Sequence, residues 1–178
     1  MKKFETNFEI PSQQQLNSLL KHYQKGEYSD AEKLSLSITK EFPNHPFAWK
    51  VLAAVLNQSG KKHESLVASQ KTVELEPNDA EVNNNLGSTL QGVGRFKEAI
   101  SSYRKAIKLK PEFFIAHYNL GVILHEMDNL EEAELNIKKA ISLKPDFAKA
   151  YNNLGVILQK LLKFNEAESS YKKAITLN

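Results

Sequence analysis

Residues 80–113, AEVNNNLGSTLQGVGRFKEAISSYRKAIKLKPEF, determine how the chain folds. Apolar residues recur at three- and four-residue steps up to Leu90 and again from Phe96, as they do on one face of an α-helix. Gly94 separates the two runs and can adopt the left-handed conformation that ends a helix. Pro111 ends the second run, because proline disfavours helix in the residue before it. The stretch therefore predicts a helix, a short turn, a second helix and a proline turn.

The same pattern returns along the chain every 34 residues. The columns that keep this step are Pro43, Pro77, Pro111 and Pro145; Ala31, Ser65, Ala99, Ala133 and Ala167; Leu52, Leu86, Leu120 and Leu154; and Gly87, Gly121 and Gly155. Small residues allow two helices of one unit to approach closely, and the large residues fill the remaining space. A single pair of short helices cannot bury its apolar faces, so we expect consecutive pairs to stack on one another.

These columns resemble the tetratricopeptide repeat, whose pattern is Trp-x2-Leu-Gly-x2-Tyr, then Ala-x3-Phe, then Ala and Pro. The third repeat matches at Leu86, Gly87, Ala99, Tyr103, Ala106 and Pro111. The resemblance implies an all-α fold, a right-handed α-α superhelix or solenoid of five helix-turn-helix repeats. The repeats would span 12–45, 46–79, 80–113, 114–147 and 148–178, one domain that follows an N-terminal arm of residues 1–11.

Composition and motifs exclude several classes of function. The 24 basic residues nearly balance the 21 acidic ones and form no basic stripe, so we expect no nucleic-acid partner. No apolar run is long enough for a secretion signal or a membrane span, which favours a cytoplasmic protein. The chain has no cysteine, and its histidines never stand four residues apart, so we predict no metal, no cofactor and no catalytic site.

By resemblance, the first helix of each repeat lines a concave groove, and its sixth position faces into that groove. This position is asparagine in four repeats of five. An amide both donates and accepts hydrogen bonds, so such a column can pair with the backbone of an extended peptide; it resembles the asparagine ladder of O-linked N-acetylglucosamine transferase. Alternatively, these are simply neutral polar residues facing water. The predicted peptide-binding residues are Asn17, Lys50, Asn84, Asn85, Tyr118, Asn119, His125, Asn152, Asn153 and Gln159.

The predicted function is that of a non-enzymatic protein–protein interaction scaffold, which binds an extended peptide or a partner protein in the groove. An alternative is a substrate-recognition arm of a larger enzyme, such as a glycosyltransferase, whose catalytic domain is absent from this chain. Tyr171, Ala174 and Ile175 would lie on an uncovered face, so end-to-end self-association is also possible. Tyr118 would serve either as an anchor for the peptide or as a partly buried packing residue.

The turn between the two helices of a repeat departs from its own pattern in the fifth repeat. Gly26, Gly60 and Gly94 share one column, which continues with Asp128 and then Leu162. Aspartate tolerates the left-handed conformation, whereas leucine adopts it only at a cost. We therefore expect a different turn at residues 161–163.

Overall fold

A computed structural model describes residues 10–177, which form two compact units that meet in the sequence between Pro77 and Asn78. Among the described residues, the secondary structure is entirely helical. The first unit contains α1 (Gln13–Gln24), α2 (Tyr28–Glu41), α3 (Pro46–Gln58) and α4 (Lys62–Leu75). The second contains α5 (Ala80–Gly92), α6 (Phe96–Leu109), α7 (Phe114–Glu126), α8 (Leu130–Leu143), α9 (Ala148–Lys160) and α10 (Phe164–Thr176).

Local sequence signals set the limits of these helices. The Ser12 side chain accepts from the Gln15 backbone N–H, and the Gln15 side chain accepts from the Ser12 backbone, so α1 begins with a capping box. Asp79 caps α5 by accepting from two backbone N–H groups. At the other end of a repeat, Lys110 leaves the helical region with a φ of −140° because Pro111 follows it. The proline column thus separates one repeat from the next.

In each repeat, one residue with positive φ lies in the turn between the two helices. These residues are Gly26, Gly60, Gly94, Asp128 and Leu162. The prediction of a different turn at 161–163 is wrong, because Leu162 has a φ of 61°, near the 79° of Gly94. The Lys163 N–H donates to the Leu158 carbonyl at 2.9 Å, the distance between Arg95 N and Leu90 O in the third repeat. The turn hydrogen bonds, which recur from repeat to repeat, offset the cost of about 1–2 kcal/mol for a leucine in the left-handed conformation.

The glycine column allows the two helices of a repeat to touch. A Cβ atom on Gly87 would lie 2.6 Å from the Tyr103 ring, and one on Gly155 would lie 2.5 Å from the Tyr171 ring. In the fourth repeat Ile137 fills the corresponding space, 2.7 Å from such an atom on Gly121. The close approach expected from the sequence is confirmed at each of these positions.

Successive repeats of the second unit pack through the start of each first helix. Phe113 and Ala116 form a buried cluster with Ala106 of the preceding repeat. Phe147, which directly precedes α9, makes the corresponding contact: its ring lies 4.8 Å from that of Tyr118 on α7. The side chains that precede and open a first helix therefore cover the repeat before it.

A second contact fixes the path between repeats. His117 Nε2 lies 2.9 Å from the Pro111 carbonyl oxygen, and Trp49 Nε1 donates to the Pro43 carbonyl at 2.8 Å. Both side chains occupy the fourth position of their repeat, where the family pattern has tryptophan. The fourth position thus joins the first helix to the proline turn that leads into it.

The first unit has its own apolar core and its own ion pair between repeats. One cluster of this core consists of Leu19, Ala31, Ile38, Phe42, Ala48, Val51 and Val55, and a second of Leu52, Ala53, Leu56 and Ala68. Lys61 donates to Glu32 at 2.6 Å across the two repeats. Val51 stands in the asparagine column, and its burial explains why an apolar residue is found there.

The described residues confirm the all-α solenoid class, since helix pairs follow one another and each packs on the next within its unit. The right-handed coiling and the repeat limits stay predictions. Most of the predicted arm, residues 1–9, lies outside the described residues. Of the remainder, Pro11 is buried and Ile10 is exposed.

Candidate functional site

Three asparagines of the predicted column lie on consecutive first helices of the second unit. Asn85 is on α5, Asn119 on α7 and Asn153 on α9, and α7 contacts both of the other helices. Asn85 is exposed, whereas Asn119 and Asn153 are half-buried. We call the surface formed by α5, α7 and α9 around these three residues the first-helix face.

Hydrogen bonds between repeats orient the asparagines. Asn119 Nδ2 donates to Asn84 Oδ1 at 3.0 Å, and Asn153 Nδ2 donates to the Tyr118 hydroxyl at 3.0 Å. In each case the sixth position of one repeat donates to the fifth position of the repeat before it. Asn119 and Asn153 therefore do more than face water, because each is hydrogen-bonded to the repeat before its own.

These bonds use only part of what an amide offers. A side-chain amide has two N–H donors and an oxygen with two lone pairs, and each bond described above uses one donor. Asn84 is 6% exposed and acts mainly as the acceptor for Asn119. Of the three asparagines on the first-helix face, Asn85 is the most open to solvent, and the Asn84 amide lies 3.4 Å from its oxygen.

Tyr118 is a packing residue with one polar edge. Its ring lies 4.8 Å from the centroid of Phe147, and the Phe147 ring meets Phe114 edge-on at 5.5 Å. Burial raises the pKa of Tyr118, and the hydrogen bond from Asn153 counteracts part of that rise. Its hydroxyl is thus a neutral acceptor on the first-helix face.

The twelfth position of the repeats alternates between two arrangements. The Tyr103 hydroxyl donates to Gln91 Oε1 at 3.0 Å, and the Tyr171 hydroxyl donates to Gln159 Oε1 at 3.2 Å. The fourth repeat has His125 at this position and Ile137 in place of the tyrosine. The isoleucine has no hydroxyl to donate, so the two side chains of the fourth repeat cannot form the bond found on either side.

His125 is consequently left with an unsatisfied nitrogen. Its Nε2 atom is buried and has no hydrogen-bond partner among the described residues. Burial lowers the pKa of His125, and the nearby charge of Lys160 lowers it further. Lys160 in turn pairs with Asp128 at 3.6 Å. The imidazole therefore favours its neutral form.

The structure places the predicted residues in two groups. Those in the second unit are Asn84, Asn85, Tyr118, Asn119, His125, Asn152, Asn153 and Gln159. Asn17 and Lys50 belong to the first unit, where Asn17 accepts from Gln13 at 2.9 Å and Lys50 pairs with Glu76 at 3.3 Å. Asn152 is exposed and lines a cavity of about 710 Å³ beside α9 and α10.

Sequence reasoning missed Gln91. This side chain accepts from Tyr103 and donates to Glu126 of the next repeat at 3.0 Å. It shares a column with His125 and Gln159, which the prediction included, so the 34-residue step was a sufficient signal.

Across residues 10–177, every helix is too short or too polar to span a lipid bilayer. The same residues bring no three histidine or carboxylate side chains together as a metal site would require.

Comparison with known families agrees with the observed helix pairs. A model of the tetratricopeptide repeat matches residues 114–147 and 148–178, and a second model for this type of repeat matches residues 93–128. Residues 93–178 consist of tetratricopeptide repeats. Tetratricopeptide repeats are typically non-catalytic scaffolds for protein interactions. No curated protein matches the sequence significantly.

Solved structures share the arrangement of the tetratricopeptide repeats. The crystal structure of MamA is 27% identical and has a TM-score of 0.81, with 88% of this chain and 92% of that chain covered. PilF of Pseudomonas aeruginosa is 20% identical, with a TM-score of 0.83 over 92% of this chain and 75% of that one. YrrB, described as a TPR protein with an unusual peptide-binding site, is 18% identical, with a TM-score of 0.77 over 98% and 89%.

These comparisons support the repeat family but not two more specific expectations from the sequence. The resemblance of the asparagine column to O-linked N-acetylglucosamine transferase stays a prediction. The alternative of a recognition arm of a larger enzyme gains no support from them.

Proposed function

We propose that the protein is a non-enzymatic scaffold that binds an extended peptide across the first-helix face. Asn85, Asn119 and Asn153 would pair with successive parts of the peptide backbone. The groove would therefore recognise mainly the extended backbone of the peptide, and the peptide side chains would contribute less to specificity.

The observation that carries this proposal is the repeated bond between first helices. Asn119 donates to Asn84, and Asn153 donates to Tyr118, with the same distance of 3.0 Å and the same offset of 35 residues. The amides of Asn119 and Asn153 are thus oriented before any ligand arrives, which reduces the entropic cost of binding. YrrB, a structural neighbour with an unusual peptide-binding site, is consistent with this use of the fold.

Amides alone are too weak to give useful affinity. A net hydrogen bond contributes about 0.5–1.5 kcal/mol, so three column residues supply roughly 3 kcal/mol, weaker than a millimolar complex. Apolar anchors must add to them. Ile115 is 38% exposed on α7, and the half-buried edge of Tyr118 lies one helical turn away on the same helix. A peptide with an apolar residue near Ile115 would gain both kinds of contact.

The proposal is tested by selecting a ligand and removing the amides one at a time. A display library of random 12-residue peptides is panned on the full chain, and the strongest peptide is titrated by fluorescence anisotropy. Asn85→Ala, Asn119→Ala and Asn153→Ala should each weaken binding about 2- to 10-fold, the equivalent of one hydrogen bond. The matched control is Asn165→Ala, which removes an exposed amide from α10.

Backbone recognition has a separate test in the peptide itself. N-methylation of alternate peptide bonds removes backbone donors and should abolish binding, whereas exchange of single side chains away from the anchor should change it little. Circular dichroism verifies that each variant keeps its helices. Column variants that bind as tightly as the Asn165→Ala control, or selected peptides that tolerate N-methylation throughout, would rule out the amide ladder.

A further inference from the structure

The second residue of the first helices in the second unit changes from acidic to apolar to basic across three repeats. It is Glu81 on α5, Ile115 on α7 and Lys149 on α9. All three side chains are exposed. Within residues 10–177, neither the Glu81 carboxylate nor the Lys149 ammonium has an ion-pair partner. Both charges can therefore pair with a ligand.

This charge column lies beside the asparagine column, because the two are four residues apart on each helix. Side chains at i and i+4 share one face of a helix, so Glu81 is next to Asn85 on α5. Lys149 is next to Asn153 on α9, and both line the same cavity as Tyr118. A ligand held by the amides would therefore pass an acidic, an apolar and a basic side chain in that order.

The thirteenth position of the repeats, at the other end of the same helix face, has the same order of charge. It is Glu126 on α7 and Lys160 on α9. Both side chains already have partners. Glu126 accepts from Gln91 at 3.0 Å. Lys160 pairs with Asp128 at 3.6 Å. The charges of the second position are thus the ones with which a ligand can pair without breaking an existing contact.

The spacing of the first helices converts the charge column into a sequence pattern. Packed helices lie about 8–10 Å apart, and an extended peptide rises about 3.3 Å per residue. Because α7 contacts both α5 and α9, a peptide that crosses them advances by about three residues from one first helix to the next. The peptide residues that meet the charge column are therefore about three residues apart.

We propose that Glu81, Ile115 and Lys149 determine which peptides bind and in which orientation. The ligand is an extended peptide with a basic residue over α5, an apolar residue over α7 and an acidic residue over α9. The charges fix which end of the peptide lies over α5, because the opposite orientation would bring like charges together. This inference rests on the proposed peptide binding at the first-helix face and adds the class of peptide and its orientation.

Panning the random peptide library on the full chain tests the pattern. The selected peptides should carry a basic and an acidic residue on opposite sides of an apolar residue, each about three residues from it. The control chain combines Glu131→Lys with Lys139→Glu, two exposed charges on the second helix α8. Glu131 is the second residue of its helix, as Glu81 is. The control should select the same peptides as the parent chain.

Charge reversal at one contact at a time assigns each peptide residue to its partner. The strongest peptide is titrated by fluorescence anisotropy at about 20 mM salt, where exposed charges are little screened. Glu81→Lys should weaken binding about 3- to 10-fold, and a glutamate in place of the basic peptide residue should restore it. Lys149→Glu should weaken binding similarly, and a lysine in place of the acidic peptide residue should restore it. The crossed combinations should not restore binding.

The outcomes separate this inference from the proposed function. Restoration by the matched exchanges and not by the crossed ones supports the charge column. Peptides that lose affinity for Asn119→Ala, but that bind Glu81→Lys and Lys149→Glu as tightly as the control chain, would overturn the charge column and leave the proposed function standing. If the parent chain and the control chain select no peptide at all, both proposals fail.

Discussion

A Cβ atom on Gly87 would lie 2.6 Å from Cε1 of Tyr103, closer than such atoms pack in proteins. We expect Gly87→Ala to destabilise the protein by about 1–3 kcal/mol, because the ring or the helix must move. Gly92→Ala in the same helix is the matched control, since a Cβ there meets nothing within 4 Å. The control should stabilise by up to about 1 kcal/mol through helix propensity. Urea denaturation measures both; similar effects of the two substitutions would contradict the close-approach argument.

Because Leu162 has a left-handed backbone conformation, we expect that its replacement by glycine stabilises the protein. Leu162→Gly should raise stability by about 0.5–1 kcal/mol, since the relief of about 1–2 kcal/mol exceeds the entropic cost of glycine. The side chain is 73% exposed, so little packing is lost. Leu162→Ala keeps the strained Cβ and should change stability by less than about 0.5 kcal/mol. If alanine stabilised as much as glycine, the gain would come from removing an exposed apolar side chain.

The 34-residue step was sufficient to predict the helix pairs and the three asparagines on consecutive first helices. It could not predict that Asn119 donates to Asn84, because that bond depends on how far one first helix is shifted along the next. The Leu162 prediction failed for a related reason. Local preference disfavours a left-handed leucine, but two packed helices and their turn hydrogen bonds determine the backbone there.

The fourth repeat, which has His125 and Ile137, can be given the tyrosine–glutamine hydrogen bond that the third and fifth repeats have. His125→Gln combined with Ile137→Tyr recreates the pair that Tyr103 and Gln91 form at 3.0 Å. Gly121 leaves space for the tyrosine ring, as Gly87 does in the third repeat. A double-mutant cycle followed by thermal and urea denaturation should give a favourable coupling of about 0.5–1.5 kcal/mol. A coupling of zero would mean that the hydroxyl does not reach the glutamine.

Glu134 should make stability depend on pH. Burial alone would raise its pKa, but the hydrogen bonds from Lys138 and Lys163 outweigh burial and hold the pKa below its ordinary value. A carboxyl whose folded pKa is depressed stabilises the protein above its unfolded pKa, near 4.3, and this contribution is lost as the pH falls through the folded pKa. Glu134→Gln should therefore cost about 1–2 kcal/mol at pH 7 and almost nothing at about pH 2.

The matched control for this pH effect is Glu168→Gln. Glu168 has the same bond to a lysine four residues later, but its side chain is 64% exposed, against 11% for Glu134. Its substitution should change stability much less at every pH, because solvent screens an exposed pair. Urea denaturation of both variants and of the parent chain between pH 2 and pH 8 gives the comparison. A difference between Glu134→Gln and the parent that stayed constant over this range would show that shape, and not the charge of Glu134, accounts for the loss.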